Sequence, residues 1–312
     1  MRVAVLKGGS SLERGVSLRS AARVEDALAA LDHEVVSLDV GPELVAQLRS
    51  ERPDVAFIAL HGPGGEDGTV QELLEILGIP YTGPGVAACA RCMDKVAAKH
   101  EIRSAGLPTP DWFAFNATAF RELGAADTLE EIEERLGFPL VVKPASQGSS
   151  LGVEFASARD EVPEALVAAF SYDDRVLLER YVKGRELAVS VLGTEALPVV
   201  EAIPREEDFF NFEARYEIGK TEYVCPADLP GTESDEVQAV ATRTYKTLGC
   251  SGFARVDLIL GADGPQVLEV NAIPGLTDTS LLPMAAEAAG LSFEDLVGRI
   301  VELALAREPA PA

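Results

Sequence analysis

Basic residues are scarce: 27 Lys and Arg stand against 51 Asp and Glu, a net charge of −24 over 312 residues. So acidic a chain is repelled by phosphate backbones and anionic headgroups, which argues against a nucleic-acid partner or a membrane surface. A small anionic ligand is still admitted, provided that the few cations gather where it binds. No apolar run approaches the length of a membrane helix. The start, MRVAVLKGGSS, reads as a strand entering a glycine turn and not as a secretion signal. Cysteine is sparse too: four in the whole chain do not make a disulfide scaffold, so the cytoplasm is the expected compartment. Cys89 and Cys92 form a CxxC pair within VAACARC, a small-residue helix in which both thiols are expected to pack as small hydrophobes. Cys225 and Cys250 lack the spacing that would complete a zinc set. There is no internal repeat, and GGSSLERG lacks the G-x-G-x-x-G spacing, which speaks against a dinucleotide oxidoreductase.

What is present is ordinary globular composition, 47% hydrophobic and 25% charged, at a length that calls for two or three domains. The first ninety or so residues alternate strand and helix: RVAVL, VSLRSAARVEDALAAL, HEVVSLDV, ELVAQLRS, DVAFIAL, TVQELLEILG and a short IPYTG strand. That alternation predicts a parallel α/β sheet covered on both faces, with ligands at the carboxyl ends of its strands. Punctuation at AGLPTPDW precedes a smaller α/β segment, and beyond Val176 the chain turns strand-rich, with an irregular stretch before ARVDLIL and a closing helix, SFEDLVGRIVELALA. The expected division is residues 1–92, 93–180 and 181–312, the last α+β in character and carrying a loop over 205–225.

Four stretches carry candidate chemistry. In VLEVNAIPG, Glu269 and Asn271 sit two residues apart on an apolar strand and therefore share a face. Asp257 interrupts the preceding strand in the same way, and the ADG turn between them predicts a hairpin that brings all three together. Three hard oxygen donors suit Mg²⁺ with substrate phosphates completing its shell; pairing of Asp257 with Arg255 and of Glu269 with another cation is the structural alternative. VVKPASQGSSLGVEF is not a Walker loop, since Lys143 precedes the glycines and a strand follows them. Its Gly148, Ser149, Ser150 and Gly152 leave backbone N–H groups free to face an anion that Lys143 can also reach. In LLERYVKGRE a strand ending at Glu179-Arg180-Tyr181-Val182 offers edge groups to a base, with Glu186 near for ribose hydroxyls. HGPGGEDGT places His61 among four glycines at the end of a parallel strand, either as a turn residue or on the substrate side.

Taken in order, GGSSLERGVSL, ALHGPGGEDGTVQ, MDK, VVKPASQGSSLGV, EARYEIGKTEYVCPA, GFARVDLIL and LEVNAIPGLTDTSLLP resemble the D-alanine–D-alanine ligases of the ATP-grasp superfamily, over nearly the whole chain. The resemblance implies an ATP-grasp fold: the N-terminal parallel domain, then two domains that sandwich a nucleotide. It implies that Lys95, Lys143 and Ser150 meet the phosphates of ATP, that Glu179, Arg180, Val182 and Glu186 hold adenosine, and that Asp257, Glu269 and Asn271 carry two Mg²⁺, or Mn²⁺ in their place. Lys95, Lys143, Arg180, Arg215 and Arg255 would then converge on ATP and substrate carboxylates. One D-alanine carboxylate would take the γ-phosphate, and the amine of a second would displace it. By the same likeness Glu13 binds the first ammonium and is held by hydrogen bonds through Ser149 and Tyr216, with His61 nearby. Arg255 and the Gly275 N–H steady the oxyanion, and Ser280, beside Leu281, takes the second carboxylate. Arg215 stands where the family often has Lys, and Gly15 where an acidic residue is common. A homodimer is also implied. The alternatives are a related ligase using D-lactate or D-serine as second substrate, and a silent nucleotide-binding regulator.

Overall fold

The computed structural model describes residues 1–124, 128–204 and 221–307; the expected substrate loop with Arg215 and Tyr216 lies outside the described residues. Three sheets organise those residues. The first is parallel, as the alternation predicts: β1 (Arg2–Lys7), β2 (Glu34–Asp39) and β3 (Val55–Ile58), in the order β2-β1-β3. Helices α1 (Arg14–Ala30), α2 (Leu44–Glu51) and α3 (Thr69–Leu77) alternate with them. The IPYTG segment contributes a single bridge, Ala56 to Tyr81. Then come α4 (Val86–Met93) and α5 (Lys95–Ser104), the latter capped where the Asp94 carboxylate accepts from the N–H groups of Val96 and Ala97.

A four-stranded sheet follows, built from β4 (Trp112–Asn116), β5 (Leu140–Pro144), β6 (Glu154–Ala156) and β7 (Arg175–Arg180), in the order β4-β7-β5-β6. Around it lie α6 (Ala117–Glu122), α7 (Leu129–Leu136) and α8 (Val162–Phe170). Strand alternation divides its side chains. Leu140, Val142, Val176 and Leu178 pack with α7 and α8 into a separate core, while Leu177 packs with Val96 of α5 on the other face.

The third sheet is antiparallel: β8 (Gly184–Leu192), β9 (Glu195–Ala196), β10 (Val200–Pro204), β11 (Thr221–Val224), β12 (Phe253–Gly261) and β13 (Gly264–Asn271). Its path runs β11-β10-β8-β12-β13, with β9 paired to β8. The stretch expected to be irregular contains a 17-residue helix, α9 (Gly231–Thr247). Its buried positions, Val237, Val240, Ala241, Thr244 and Tyr245, form one stripe at helical spacing. The stripe is short and diluted by polar neighbours, so β8, β12 and β13, against which it packs, decide the conformation. Helix α10 (Leu281–Ala288) precedes α11 (Phe293–Ala306), which carries the full Ser292–Asp295 capping box and returns to lie on α1 and β3. The cores of the first and third sheets are consequently continuous.

Cys89 and Cys92 are buried in α4 as expected. Cys250, remote in sequence, nevertheless packs against Cys92 with the sulfurs 3.5 Å apart. The turn after α9 brings it there, a contact that spacing along the chain does not reveal.

Candidate active site

Residues 181–183 join β7 directly to β8, so the second and third sheets face each other across a cleft beside that connection. Val141, Lys143, Phe155 and Glu179 line one wall; Glu186, Ala188, Ala202, Leu258, Ile259 and Leu268 line the other. Apolar walls this close suit a flat ring, with the Tyr181–Val182 backbone at its edge.

Cations gather at one part of this cleft. Lys95, the first residue of α5, donates to the Gln147 carbonyl at 2.6 Å and lies 3.0 Å from Glu269 Oε2. Lys143 donates to Glu179 Oε1 at 2.8 Å. Glu179 is 2% exposed, and its Oε2 lies 2.6 Å from a second ammonium, that of Lys99. Burial pushes the Glu179 carboxyl up, but Lys143 and Lys99 outweigh it and hold the group below the ordinary range. Arg180 departs from the expected convergence. Adjacent strand residues point to opposite faces, so with Glu179 in the cleft the Arg180 guanidinium turns outward, donating to the Arg135 carbonyl at 2.9 Å and lying 3.5 Å from Asp111.

The loop between β5 and β6 closes over this end. Ser149 and Ser150 have left-handed backbones, φ 55° and 58°. Gly152, at φ 69°, has no room for a side chain, since a Cβ would lie 2.6 Å from Tyr172 Cδ2. The loop is tied down where the Ser146 N–H donates to Asp173 at 2.7 Å and the Gln147 amide donates to the Tyr172 carbonyl at 3.0 Å. Ser149 reaches across 136 positions of sequence to donate from its hydroxyl to the Glu13 carboxylate.

The hairpin of β12 and β13 forms as expected, with Ala262 and Asp263 as its turn. Asp257 pairs opposite Glu269 and Arg255 opposite Asn271, so the three oxygen-bearing side chains share one face of two neighbouring strands. A bulge then shifts the register: Leu258 pairs with Val267, leaving Leu268 as the extra residue. The bulge turns Val267 into the core and lets Leu268 join Glu269 on the cleft side. The donor set is two carboxylates and an amide oxygen, the chemistry that hard divalent cations prefer. Each carboxylate already has a cationic partner: Arg255 forks onto Asp257 at 2.6 and 2.8 Å, and Lys95 meets Glu269. Among the described residues no group of three or more His, Cys, Asp or Glu side chains gathers around a metal position. The residues fit a divalent ion that brings phosphate oxygens with it.

Beyond the hairpin a small polar chamber is lined by Glu13, His61, Glu66, Tyr223, Arg255, Asn271, Gly275, Thr277, Ser280 and Leu281. His61 shares a hydrogen bond with the Ser20 hydroxyl at 3.1 Å through Nε2; its Nδ1 lies 3.2 Å from Glu66 and 3.1 Å from the Ile273 carbonyl. Burial holds the Glu66 carboxyl above its ordinary range, against the lowering effect of His61. Ser280 Oγ accepts from the Thr277 N–H at 3.0 Å and lies so near Gly275 that a Cβ there would be 2.8 Å away. The chamber meets the nucleotide-sized cleft at Leu281, which lines both. A carboxylate, an amine and a phosphoryl group can therefore be brought together with cations already in place.

The comparisons agree with this geometry. Residues 102–302 match the family described as D-ala D-ala ligase C-terminus, and residues 41–84 match D-ala D-ala ligase N-terminus. The chain belongs to the D-alanine–D-alanine ligase family. Among curated D-alanine–D-alanine ligases, that of Moorella thermoacetica is 44% identical, covering 98% of this chain and 99% of its own. The Anaeromyxobacter dehalogenans (strain 2CP-1) ligase is 47% identical, with 96% of each covered. The fold of this chain matches the Bacillus anthracis D-alanine–D-alanine ligase complexed with ATP at TM-score 0.84 and 35% identity, covering 98% of this chain and 97% of that one. The VanG D-Ala:D-Ser ligase of Enterococcus faecalis matches at TM-score 0.82 and 28% identity, covering 97% and 99%. The fold of this ligase-family chain is thus that of the ATP-grasp carboxylate–amine ligases.

Sequence reasoning passed over Lys99, Glu66 and Tyr223. Lys99 had a signal, since it stands one helical turn from Lys95 and an α5 face bearing two lysines beside a nucleotide cleft is a pattern. Glu66 lay in the quoted HGPGGEDGT, but nothing local announces its burial. Tyr223 is placed by the pairing of β11 with β10 and by packing against the main core, neither of which is local in sequence.

Proposed function

We propose that the protein is an ATP-dependent ligase that joins two D-alanine molecules into D-alanyl-D-alanine through an acyl phosphate, for peptidoglycan precursor synthesis in the cytoplasm. The observation that carries this reading is the shared wall between a cation-lined, nucleotide-sized cleft and a polar chamber holding Glu13, Arg255 and Ser280. The apolar walls of the cleft take adenine, with the backbone near Arg180 and Val182 at its edge, Glu179 beside it and Glu186 toward the ribose. Lys95, Lys143 and the backbone around Ser150 face the phosphates.

Asp257, Glu269 and Asn271 would hold two Mg²⁺, or Mn²⁺ in their place. Such ions would supply positive charge to offset that of the phosphates, while Lys95 and Lys143 orient the triphosphate. Glu13, held by Ser149, receives the ammonium of the first D-alanine, so that its carboxylate points at the γ-phosphate. Tyr216 joins that arrangement from the loop that also carries Arg215, and His61 sits behind it, fixed by Ser20 and Glu66. Once the carboxylate oxygen has taken the phosphoryl group, the amine of the second D-alanine attacks the carbonyl carbon and phosphate departs. Arg255 and the Gly275 N–H meet the negative charge that develops on the carbonyl oxygen. Ser280, at the start of α10 and beside Leu281, receives the second carboxylate. The loop between β5 and β6, which lies over this end of the cleft, keeps water from the acyl phosphate.

The test is phosphate release from Mg-ATP on addition of D-alanine, with D-serine and D-lactate as parallel acceptors. D-alanine is expected to support turnover and the dipeptide to accumulate. Turnover with D-lactate at neutral pH and none with D-alanine would move the reading to a depsipeptide ligase; no release with any acceptor would leave a nucleotide-binding protein without catalysis. A homodimer is part of the same reading, checked by light scattering on the purified protein. Among the described residues no helix is long and apolar enough to cross a membrane.

A further inference from the structure

Glu179 raises a question that the proposed reaction does not answer. Its carboxylate is buried and already bonded to Lys143, yet the fold places a second ammonium against its other oxygen. That of Lys99 is fully buried, 0% exposed, on the face of α5 turned toward β4 and β7. It donates to Thr109 Oγ1 at 2.5 Å and to the Pro110 carbonyl at 3.3 Å, and lies 5.2 Å over the Trp112 ring. Burial costs this group charge stability: it pushes Lys99 down to about 8, against the opposing pull of Glu179. A lysine in such a place is not required to neutralise Glu179, because Lys143 alone would do so. Two ammoniums on one carboxylate leave an excess of one positive charge at the cleft wall.

The excess has a use if one of the two lysines is to leave. Lys143 lines the nucleotide cleft beside Lys95 and Gln147, whereas Lys99 has no access to it. We propose that Lys99 is a positioning residue for nucleotide binding: it keeps Glu179 paired when Lys143 turns from that carboxylate to a phosphate oxygen. Without Lys99, the same movement would strand a buried carboxylate without a counter-ion, and the cost would be charged against ATP affinity. The anchor of Lys99 is itself tied to the opposite wall. Thr109 donates from its hydroxyl to the Val267 carbonyl at 2.8 Å, and Val267 flanks the bulge beside Glu269. Lys99 is thereby held through Thr109 to both walls, whereas the Lys143 side chain borders the cleft. This inference rests on the reading of the cleft as an ATP site.

The experiment compares Lys99→Met, Lys99→Arg, Glu179→Gln, Lys99→Met/Glu179→Gln and Lys143→Met. ATP binding is followed by calorimetry, KM and kcat by phosphate release, and folding by thermal melting. Lys99→Met is expected to raise the KM and Kd for ATP about tenfold while kcat and the KM for D-alanine change by less than about threefold. Lys99→Arg keeps the charge and should recover part of the ATP affinity. The deciding comparison is the double variant: a neutral amide needs no counter-ion, so removing Lys99 should cost little once Glu179 is Gln. If Lys99→Met binds ATP as the wild type does, or if the same loss appears in the Glu179→Gln background, Lys99 is only packing and the inference is overturned. Should Lys99→Met fail to fold, Glu179→Gln against the double variant still decides. Unchanged ATP affinity in Lys143→Met would instead refute the assignment of the cleft, a separate failure.

Discussion

Asp257→Asn separates the metal assignment from a structural role. Asp257 and Arg255 have side chains 13% and 8% exposed, joined by two short bonds of 2.6 and 2.8 Å. An asparagine keeps the shape and one acceptor but loses the charge and the second acceptor. Breaking a buried ion pair outright costs about 3–5 kcal/mol, and losing one charge-assisted bond about 1.5–3. With one bond retained, about 2 kcal/mol is the expected loss of stability. Against a total on the order of 5–15 kcal/mol the variant remains almost entirely folded at 25 °C. On the metal assignment the same substitution would remove a charged ligand from ions that would contribute several kcal/mol to the transition state, so a loss of about a thousandfold in kcat is expected. The rate effect is therefore far larger than any change in folded population can produce. Phosphate release at saturating D-alanine across a Mg²⁺ titration, beside a thermal melt, measures both. A folded variant whose rate stays within about tenfold of wild type would refute the placement of the metal on Asp257.

Gly275→Ala puts a Cβ 2.8 Å from Ser280 Oγ, which the Thr277 N–H holds in place, so the loop after β13 and the start of α10 must separate by a few tenths of an ångström. We expect kcat to fall by about a hundredfold with ATP affinity retained; an equal loss in ATP binding would show that Gly275 serves the cleft rather than the chamber. Glu66 supplies a pH dependence: burial raises its carboxyl above 4.5, so in the folded state it holds a proton that the unfolded chain has released. Stability then falls as pH rises through that window, and Glu66→Gln removes this fall. The difference in Tm between variant and wild type should grow as pH is raised from the acid side, and a constant difference would refute the assignment. Tyr216→Ala is expected to loosen the choice between amine and hydroxy-acid acceptors, read as the ratio of kcat/KM for D-alanine and D-lactate. An unchanged ratio would show that this loop does not set it.

Much of the proposed metal-binding face was legible because a strand has a period of two. Glu269 and Asn271 had to share a side, and a turn as short as Ala262-Asp263 had to lay Asp257 beside them. The bulge at Leu268 was not legible, because it appears only when Val267 finds room in the core and the two strands settle their register. Helix α9 was missed since its apolar stripe is read only against the sheet that it covers. The resemblance counted Arg180 among the converging cations; it does line the cleft, but strand alternation turns its guanidinium toward the Arg135 carbonyl. Lys99 was passed over and Cys250 set aside as remote for a common reason: both meet partners far along the chain, Glu179 and Cys92.

The amino-acid sequence by itself determined the alternation of the first ninety residues, the hairpin with its acidic face, the glycine- and serine-rich loop, and the family likeness. All of these follow from short-range periods and from the identity of neighbouring residues. Only the tertiary structure decided that Ser149 closes onto Glu13, that His61 leans on Ile273, and that two lysines share Glu179. Those contacts join segments whose meeting depends on how three sheets pack, and packing is set by the summed burial of side chains across the molecule, which no local stretch encodes.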